Sequence, residues 1–235
     1  MPSRPRTDPD SPAVRRLPSY LDWLLRMRGL GRKTVSTTEL ADCVKTGWTA
    51  VRKDIALTGV SGRPRVGYDV DRLVDAIREF LGWQQTRSAV LLGAGALGSA
   101  LLGYDGFERY GLRIDAVFDV DPAKTGTTVR GRAVLPLSDL PGILRRRPPD
   151  LALLCVPASA AQEAADLLVR HGVRRLWNFS DVELEVPEDV VVRRETVAGG
   201  LAALSVGIRN ARAVRRGPAR KRPRPFRPLP PNRKK

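Results

Sequence analysis

The chain has 235 residues, 42% of them hydrophobic, enough for one large or two smaller domains with real cores. Its formal net charge of +16 is unevenly placed: residues 196–235 hold 12 Lys/Arg and no acid, which leaves residues 1–195 with 29 Lys/Arg against 25 Asp/Glu. The apolar stretches are too short to span a bilayer and the first residues lack the apolar core of a signal peptide, so a cytoplasmic protein without a membrane span is expected.

In chain order, residues 1–13 are Pro-rich and polar and are expected to be disordered. An amphipathic helix follows from about Arg15, with Leu17, Tyr20, Leu21, Leu24 and Leu25 on one face. Thr34-Val35 predicts a short strand, and Ser36-Thr37-Thr38-Glu39 is a capping box in which hydroxyl and carboxylate satisfy backbone donors reciprocally, opening a helix to about Val44. Lys45-Thr46-Gly47 breaks it. The next helix, from Trp48 to about Leu57, turns Val51 and Ile55 inward and carries Arg52 and Lys53. Two short helices meeting at a glycine-containing turn make a helix-turn-helix, whose second helix enters a DNA major groove.

Residues 58–68 read as a glycine-bounded β hairpin with Arg63 and Arg65 at its tip. As a wing it would set both arginines on phosphate or in a minor groove; the plain alternative is an exposed turn with solvated charges. The candidate DNA-facing residues are therefore Trp48, Thr49, Arg52, Lys53, Arg63 and Arg65. Asp69 caps a helix over 70–81, and residues 82–86 form a hinge, which bounds a winged-helix domain at 14–83.

Residues 89–98, Ala-Val-Leu-Leu-Gly-Ala-Gly-Ala-Leu-Gly, run an apolar strand into a G-x-G-x-x-G turn, and Asp119 stands 21 residues beyond the last glycine. Gly93 permits the tight turn, Gly95 lets backbone approach a pyrophosphate, Gly98 lets helix pack on strand, and Asp119 closes on ribose hydroxyls. A βα turn of some other nucleotide-binding fold is the alternative. Apolar runs at 89–92, 114–118, 151–156, 174–177 and 190–193, with helical segments such as 96–103 and 160–171 between them, predict a doubly wound parallel α/β sheet over 84–205. Val129–Val134 adds a short strand pair. The strand from Leu151 ends in Val156-Pro157, where open α/β sheets bind ligands.

Cys43 and Cys155 match no metal or redox spacing, and His171, in Arg-His-Gly near a helix end, is read as a surface or capping residue. No metal site is expected. No serine, cysteine or lysine has a histidine base at plausible spacing, so nucleophilic catalysis has little support. Residues 206–235 are Arg/Pro-rich and are expected to be a disordered basic tail, either adding sequence-blind attraction to phosphate backbones or merely solubilising the chain.

Arg16-Leu17-Pro18 with Tyr20, Val51-Arg52-Lys53-Asp54, Val66-Gly67-Tyr68, Gly93-Ala94-Gly95-Ala96-Leu97-Gly98, Phe118-Asp119-Val120-Asp121-Pro122, Val156-Pro157-Ala158 and Asn178-Phe179 occur in this order. Together they closely resemble the bacterial redox-sensing transcriptional repressor family Rex, over about residues 13–205. The resemblance implies a winged helix joined to a Rossmann domain, a homodimer whose C-terminal helix is swapped between subunits, and a repressor that releases operator DNA when NADH replaces NAD⁺. It implies NAD(H) as cofactor, held by Gly93 to Gly98, Asp119, Asp121, Val156, Pro157 and Tyr104, the last in the helix after the glycine turn.

By the same resemblance Arg16 and Tyr104 couple the nicotinamide to the DNA-binding domain, with an aspartate at the start of the swapped helix pairing with Arg16. Here that position is Thr196, preceded by Glu195. Pro64-Arg65 stands where the family usually has a basic residue and then glycine, and Gly199-Gly200 lowers the propensity of the swapped helix by about 1 kcal/mol for each glycine. Two other readings are an NAD-dependent oxidoreductase and a Rex-like DNA-binding protein that does not sense.

Overall fold

A computed structural model describes residues 8–215. Helix α1 (Pro12–Gly29) starts earlier than composition suggests: the Ser11 hydroxyl accepts from Val14 N–H, and Pro12 at the first helical position lacks an N–H that would need a partner. The irregular segment expected up to residue 13 is therefore helical from Pro12, and Asp10 before it pairs with Arg193. Residues 1–7 lie outside the described residues.

Five further elements complete the N-terminal module: β1 (Thr34–Val35), α2 (Thr37–Val44), α3 (Trp48–Leu57), β2 (Tyr68–Asp69) and α4 (Val70–Leu81). The capping box at Ser36 and Glu39 forms with both of its hydrogen bonds, and Lys45 in the left-handed conformation ends α2. Leu17, Tyr20, Leu21 and Leu24 of α1 pack with Leu40, Val51, Ile55, Leu73 and Ile77 in one core.

The hairpin expected over 58–68 is much shorter than that span. It is reduced to one bridge, in which Arg63 and Gly67 exchange both backbone hydrogen bonds at 2.8 and 2.9 Å around a turn where Arg65 sits at φ 62°. Strand β2 instead pairs antiparallel with β1. Gly67, at φ +93°, is required there: a Cβ would lie 2.2 Å from the Val35 carbonyl oxygen.

The second module follows with β3 (Arg87–Leu92), α5 (Ala96–Leu102), α6 (Gly106–Arg109), β4 (Leu112–Asp119), β5 (Thr128–Val129), β6 (Arg132–Pro136), α7 (Leu140–Arg146), β7 (Leu151–Leu154), α8 (Ala158–Arg170), β8 (Arg175–Asn178) and β9 (Val191–Arg194). The sheet order is β5-β6-β4-β3-β7-β8-β9, parallel throughout except for β5 against β6. Alternate residues of β3 feed two cores, Val90 and Leu92 on one face and Ala89 and Leu91 on the other, as in a parallel sheet covered on both sides. The direction of winding reverses between β3 and β7, which opens a crevice at their carboxyl ends.

The two modules touch through α1, through Trp83 after α4, and through the Asp10–Arg193 pair just ahead of α1. The Tyr110 hydroxyl donates to both Asp22 carboxylate oxygens at 3.1 and 3.0 Å, Arg109 stands 3.9 Å from the same carboxylate, and the Trp83 and Tyr110 rings lie 4.8 Å apart. Helix α9 (Val197–Arg215) runs ten residues past the boundary expected at residue 205, so the basic segment begins as helix. Its side chains from Ala198 to Asn210 are all exposed. The rest of the Arg/Pro-rich tail, residues 216–235, lies outside the described residues.

Candidate nucleotide cleft and nucleic-acid interface

The three glycines of the β3–α5 turn have separate geometric reasons. Gly93 sits at φ +99° with its absent Cβ 2.5 Å from the Cys155 carbonyl oxygen, and a Cβ on Gly98 would come within 2.0 Å of the Gly93 oxygen. A Cβ on Gly95, by contrast, would meet nothing within 4 Å. That open space fronts a cleft of about 580 Å³ at the ends of β3, β4 and β7, lined by Gly93, Gly95, Asp119, Asp121, Val156 and Pro157 among others. The spacing of small residues fits a dinucleotide, with Gly95 leaving room for the pyrophosphate beside free backbone amides.

Asp119, at the end of β4, is held before any ligand arrives. Its carboxylate accepts from the Ala94 amide at 2.8 Å and the Asp121 amide at 2.9 Å, and Lys124 Nζ approaches to 3.3 Å. Burial works to raise its pKa, but the two amides and the ammonium outweigh it and hold the carboxyl below the usual range. Lys124, which also lies 3.5 Å from Asp121, was not singled out by the sequence; its position three residues past Asp121 was the available signal. Cys155 lines the cleft too, and burial pushes its thiol up to about 12, so it stays protonated and unreactive.

Ala96, Leu97 and Gly98 shape the turn without lining the cleft, and Ala94 contributes its amide to Asp119. Tyr104 is not in a helix, because Gly103 ends α5; it lies in the loop before α6, half exposed, edge-on to Phe107 with centroids 5.0 Å apart. It borders a smaller hollow of about 230 Å³ with Asp105, Glu108 and Arg132, apart from the main cleft. His171 ends α8, as a capping residue would, with Nδ1 2.8 Å from the Leu167 carbonyl oxygen. Among the described residues no cluster of three His, Cys, Asp or Glu could hold a metal ion, and no helix is long and apolar enough to cross a membrane.

On the N-terminal module, α3 buries Val51, Asp54 and Ile55 and exposes Trp48, Thr49, Arg52 and Lys53. Trp48, Arg52, Arg63 and Arg65 line one groove of about 700 Å³ between α3, the turn at 63–67 and the start of α2. Thr49 and Lys53 are exposed on the same helix outside that groove. Thr37 and Thr38 line it as well and were missed, since only their capping role shows in the sequence.

Asp54 was also missed as a site residue. Its side chain, 3% exposed, takes a bidentate pair from Arg16 at 2.7 and 2.8 Å and a hydrogen bond from the Tyr20 hydroxyl at 2.9 Å. Burial and that bond to Asp54 raise the Tyr20 pKa well above the usual phenol range, so the hydroxyl remains a donor. Arg16 and Tyr20 thus clamp α1 to α3. Glu195 engages elsewhere, accepting from Arg193 at 3.3 Å and the Trp177 indole at 3.4 Å, and Thr196 directly precedes α9. Within one chain, therefore, the structure does not bring Arg16 and Glu195 or Thr196 together.

The family described as CoA binding domain matches residues 84–182, and that described as putative DNA-binding protein N-terminus matches residues 10–56. The Treponema denticola protein named redox-sensing transcriptional repressor Rex is 39% identical over 198 residues, covering 84% of this chain and 94% of its own length. The Rhodopirellula baltica protein of the same name is 38% identical over 205 residues, 87% of this chain and 86% of its own. Among solved structures, RSP, a Rex-family repressor, in complex with β-NAD⁺ and operator DNA matches with a TM-score of 0.80 at 29% identity, over 89% of this chain and 97% of that one. RSP in complex with β-NADH gives 0.79 at 28% identity, over 89% of this chain and 99% of that one.

Proposed function

This chain belongs to the Rex family of redox-sensing transcriptional repressors, and we infer that it holds operator DNA when its cleft is free or carries NAD⁺ and releases it when the cleft carries NADH. The observation that carries this reading is one chain holding both a cleft with Gly95 open and Asp119 fixed at its rim, and an exposed basic face on α3. The full-length relatives are named as repressors, and the oxidoreductase reading is set aside.

When bound, the nicotinamide supplies the redox signal as a ring charge present in the oxidised form and absent in the reduced one. The chain supplies the rest. Asp119, Asp121 and Glu163 against Lys124 and Arg170 leave the cleft lining net negative, which disfavours a 2′-phosphate and so NADP(H). Val156 and Pro157 form the wall at the end of β7. For release, NADH must bind the DNA-incompetent arrangement better than the DNA-competent one, since a ligand without differential affinity shifts nothing. Trp48, Thr49, Arg52 and Lys53 reach DNA from α3 and Arg63 and Arg65 from the turn beside it, with arginines suited to phosphate and guanine edges.

A homodimer is supported by α9, whose Leu201, Leu204 and Ile208 are 64%, 68% and 55% exposed on one stripe and need a second copy to cover them. The swapped arrangement would meet that need. The cytoplasm is the site of action that fits a repressor acting on DNA.

Selection of duplexes from random-sequence DNA tests the reading. With NAD⁺ the full chain is expected to enrich a palindrome, reflecting a two-fold dimer, and with NADH the enrichment disappears. Enrichment that is the same under both nucleotides contradicts it. In the same assay Arg65→Gly separates stability from function. Arg65 pays for its left-handed φ of 62°, so glycine should stabilise the fold by about 1 kcal/mol while weakening DNA binding several-fold.

A further inference from the structure

We propose that the Tyr110–Asp22 contact is a latch that transmits the state of the nucleotide module to the DNA-reading helix inside a single subunit, with Tyr110 and Asp22 as positioning residues. The proposal rests on the sensor reading above. It names the contact through which the sensor acts on the DNA-binding module, a role beyond that reading.

An unbroken line of contacts runs between the two modules. Tyr104 packs edge-on against Phe107 of α6, and Phe107 meets Trp177 of β8 at 5.9 Å, so this aromatic group sits on the sheet that builds the cleft. Helix α6 leads directly into Tyr110, whose ring lies against Trp83 at the module junction and whose hydroxyl reaches both oxygens of Asp22. Asp22 is on α1, six residues beyond Arg16. On that same helix Arg16 and Tyr20 hold Asp54 of α3. One helix, α1, therefore carries a clasp to the nucleotide module and a clasp to the DNA-facing helix.

The chemistry suits a latch. Burial and the bond to Asp22 push the Tyr110 hydroxyl up to about 12, so it remains a donor across the physiological range. Arg109, 3.9 Å from Asp22, adds charge attraction without closing a tight pair. A single bifurcated hydrogen bond can break and re-form at low cost, as a two-state contact must, whereas the bidentate Arg16–Asp54 pair keeps α1 and α3 moving as one body. A shift of α6 toward or away from α1 would then reorient the basic face of α3.

The test uses the full chain and a labelled duplex recovered by the selection above. Operator affinity is measured by anisotropy with NAD⁺ and with NADH, and NADH affinity separately by its own fluorescence. Tyr110→Phe removes one oxygen and keeps the ring on Trp83, Asp22→Ala removes the acceptor, and Asp22→Asn keeps one acceptor oxygen. Tyr110→Phe and Asp22→Ala are expected to shrink the NADH-driven loss of operator affinity by about tenfold, with NADH affinity within about threefold of the parent and Asp22→Asn close to it. A response in Tyr110→Phe equal to the parent's, or a parallel loss of NADH affinity, overturns the latch and leaves the sensor reading standing. A parent chain that ignores NADH overturns the sensor reading and the latch with it.

Discussion

Gly98→Ala is expected to destabilise the nucleotide module by about 3 kcal/mol and to abolish NADH binding, whereas Gly95→Ala three residues earlier should leave the fold intact and still weaken binding sharply. The difference lies in what each methyl meets. At Gly98 a Cβ would lie 2.0 Å from the Gly93 carbonyl oxygen and 3.1 Å from Leu91 Cδ2 in a packed core, so α5 must lift off β3. At Gly95 the backbone has φ −75° and the added Cβ meets nothing, so the cost is that of a poorer helix cap, under about 1 kcal/mol. The open space it fills is the space a pyrophosphate needs, and a loss of about 100-fold in NADH affinity should follow. Thermal unfolding and NADH fluorescence on the two variants check both halves.

Asp54→Ala is expected to cost about 3 kcal/mol and to lower the melting temperature of the N-terminal module by about 12 °C or more. Removing the carboxylate strands the Tyr20 hydroxyl in the core and leaves a half-buried Arg16 guanidinium without its partner. DNA binding should fail at temperatures where NADH binding persists, because the nucleotide module has its own cores around Leu91 and Leu92. Asp54→Asn, which keeps one acceptor, should lose about half as much. Calorimetry with and without NADH separates the two transitions.

These two residues mark how far the amino-acid sequence could be read. Gly98 was legible because its demand is local: strand, turn and helix are contiguous, and the i, i+2, i+5 spacing reports their close approach. Capping at Ser36 and Asp69 was legible for the same reason, since cap and partner lie three residues apart. Asp54 was not. Beside Arg52 and Lys53 it reads as one more charge on a solvated face, and only the fold brings Arg16, 38 positions away, onto it.

The same limit explains other differences. Tyr104 fell outside its expected helix because Gly103 caps α5 directly after Leu102, a balance of propensity and packing that periodicity cannot weigh. The wing's hairpin is only one bridge long, and Tyr68 and Asp69 pair with β1, far back in the chain, instead of extending it. Asp22 and Tyr110, 88 positions apart, gave no sign of each other.

The central claim is that NADH in the cleft governs the hold on operator DNA. Titration of NADH into the full chain already bound to its selected duplex with NAD⁺, followed by anisotropy, tests it most directly. The account predicts release with a midpoint that rises as NAD⁺ is raised, since the two compete for the cleft lined by Gly93, Gly95 and Asp119. DNA that stays bound at NADH concentrations that saturate the cleft would contradict it.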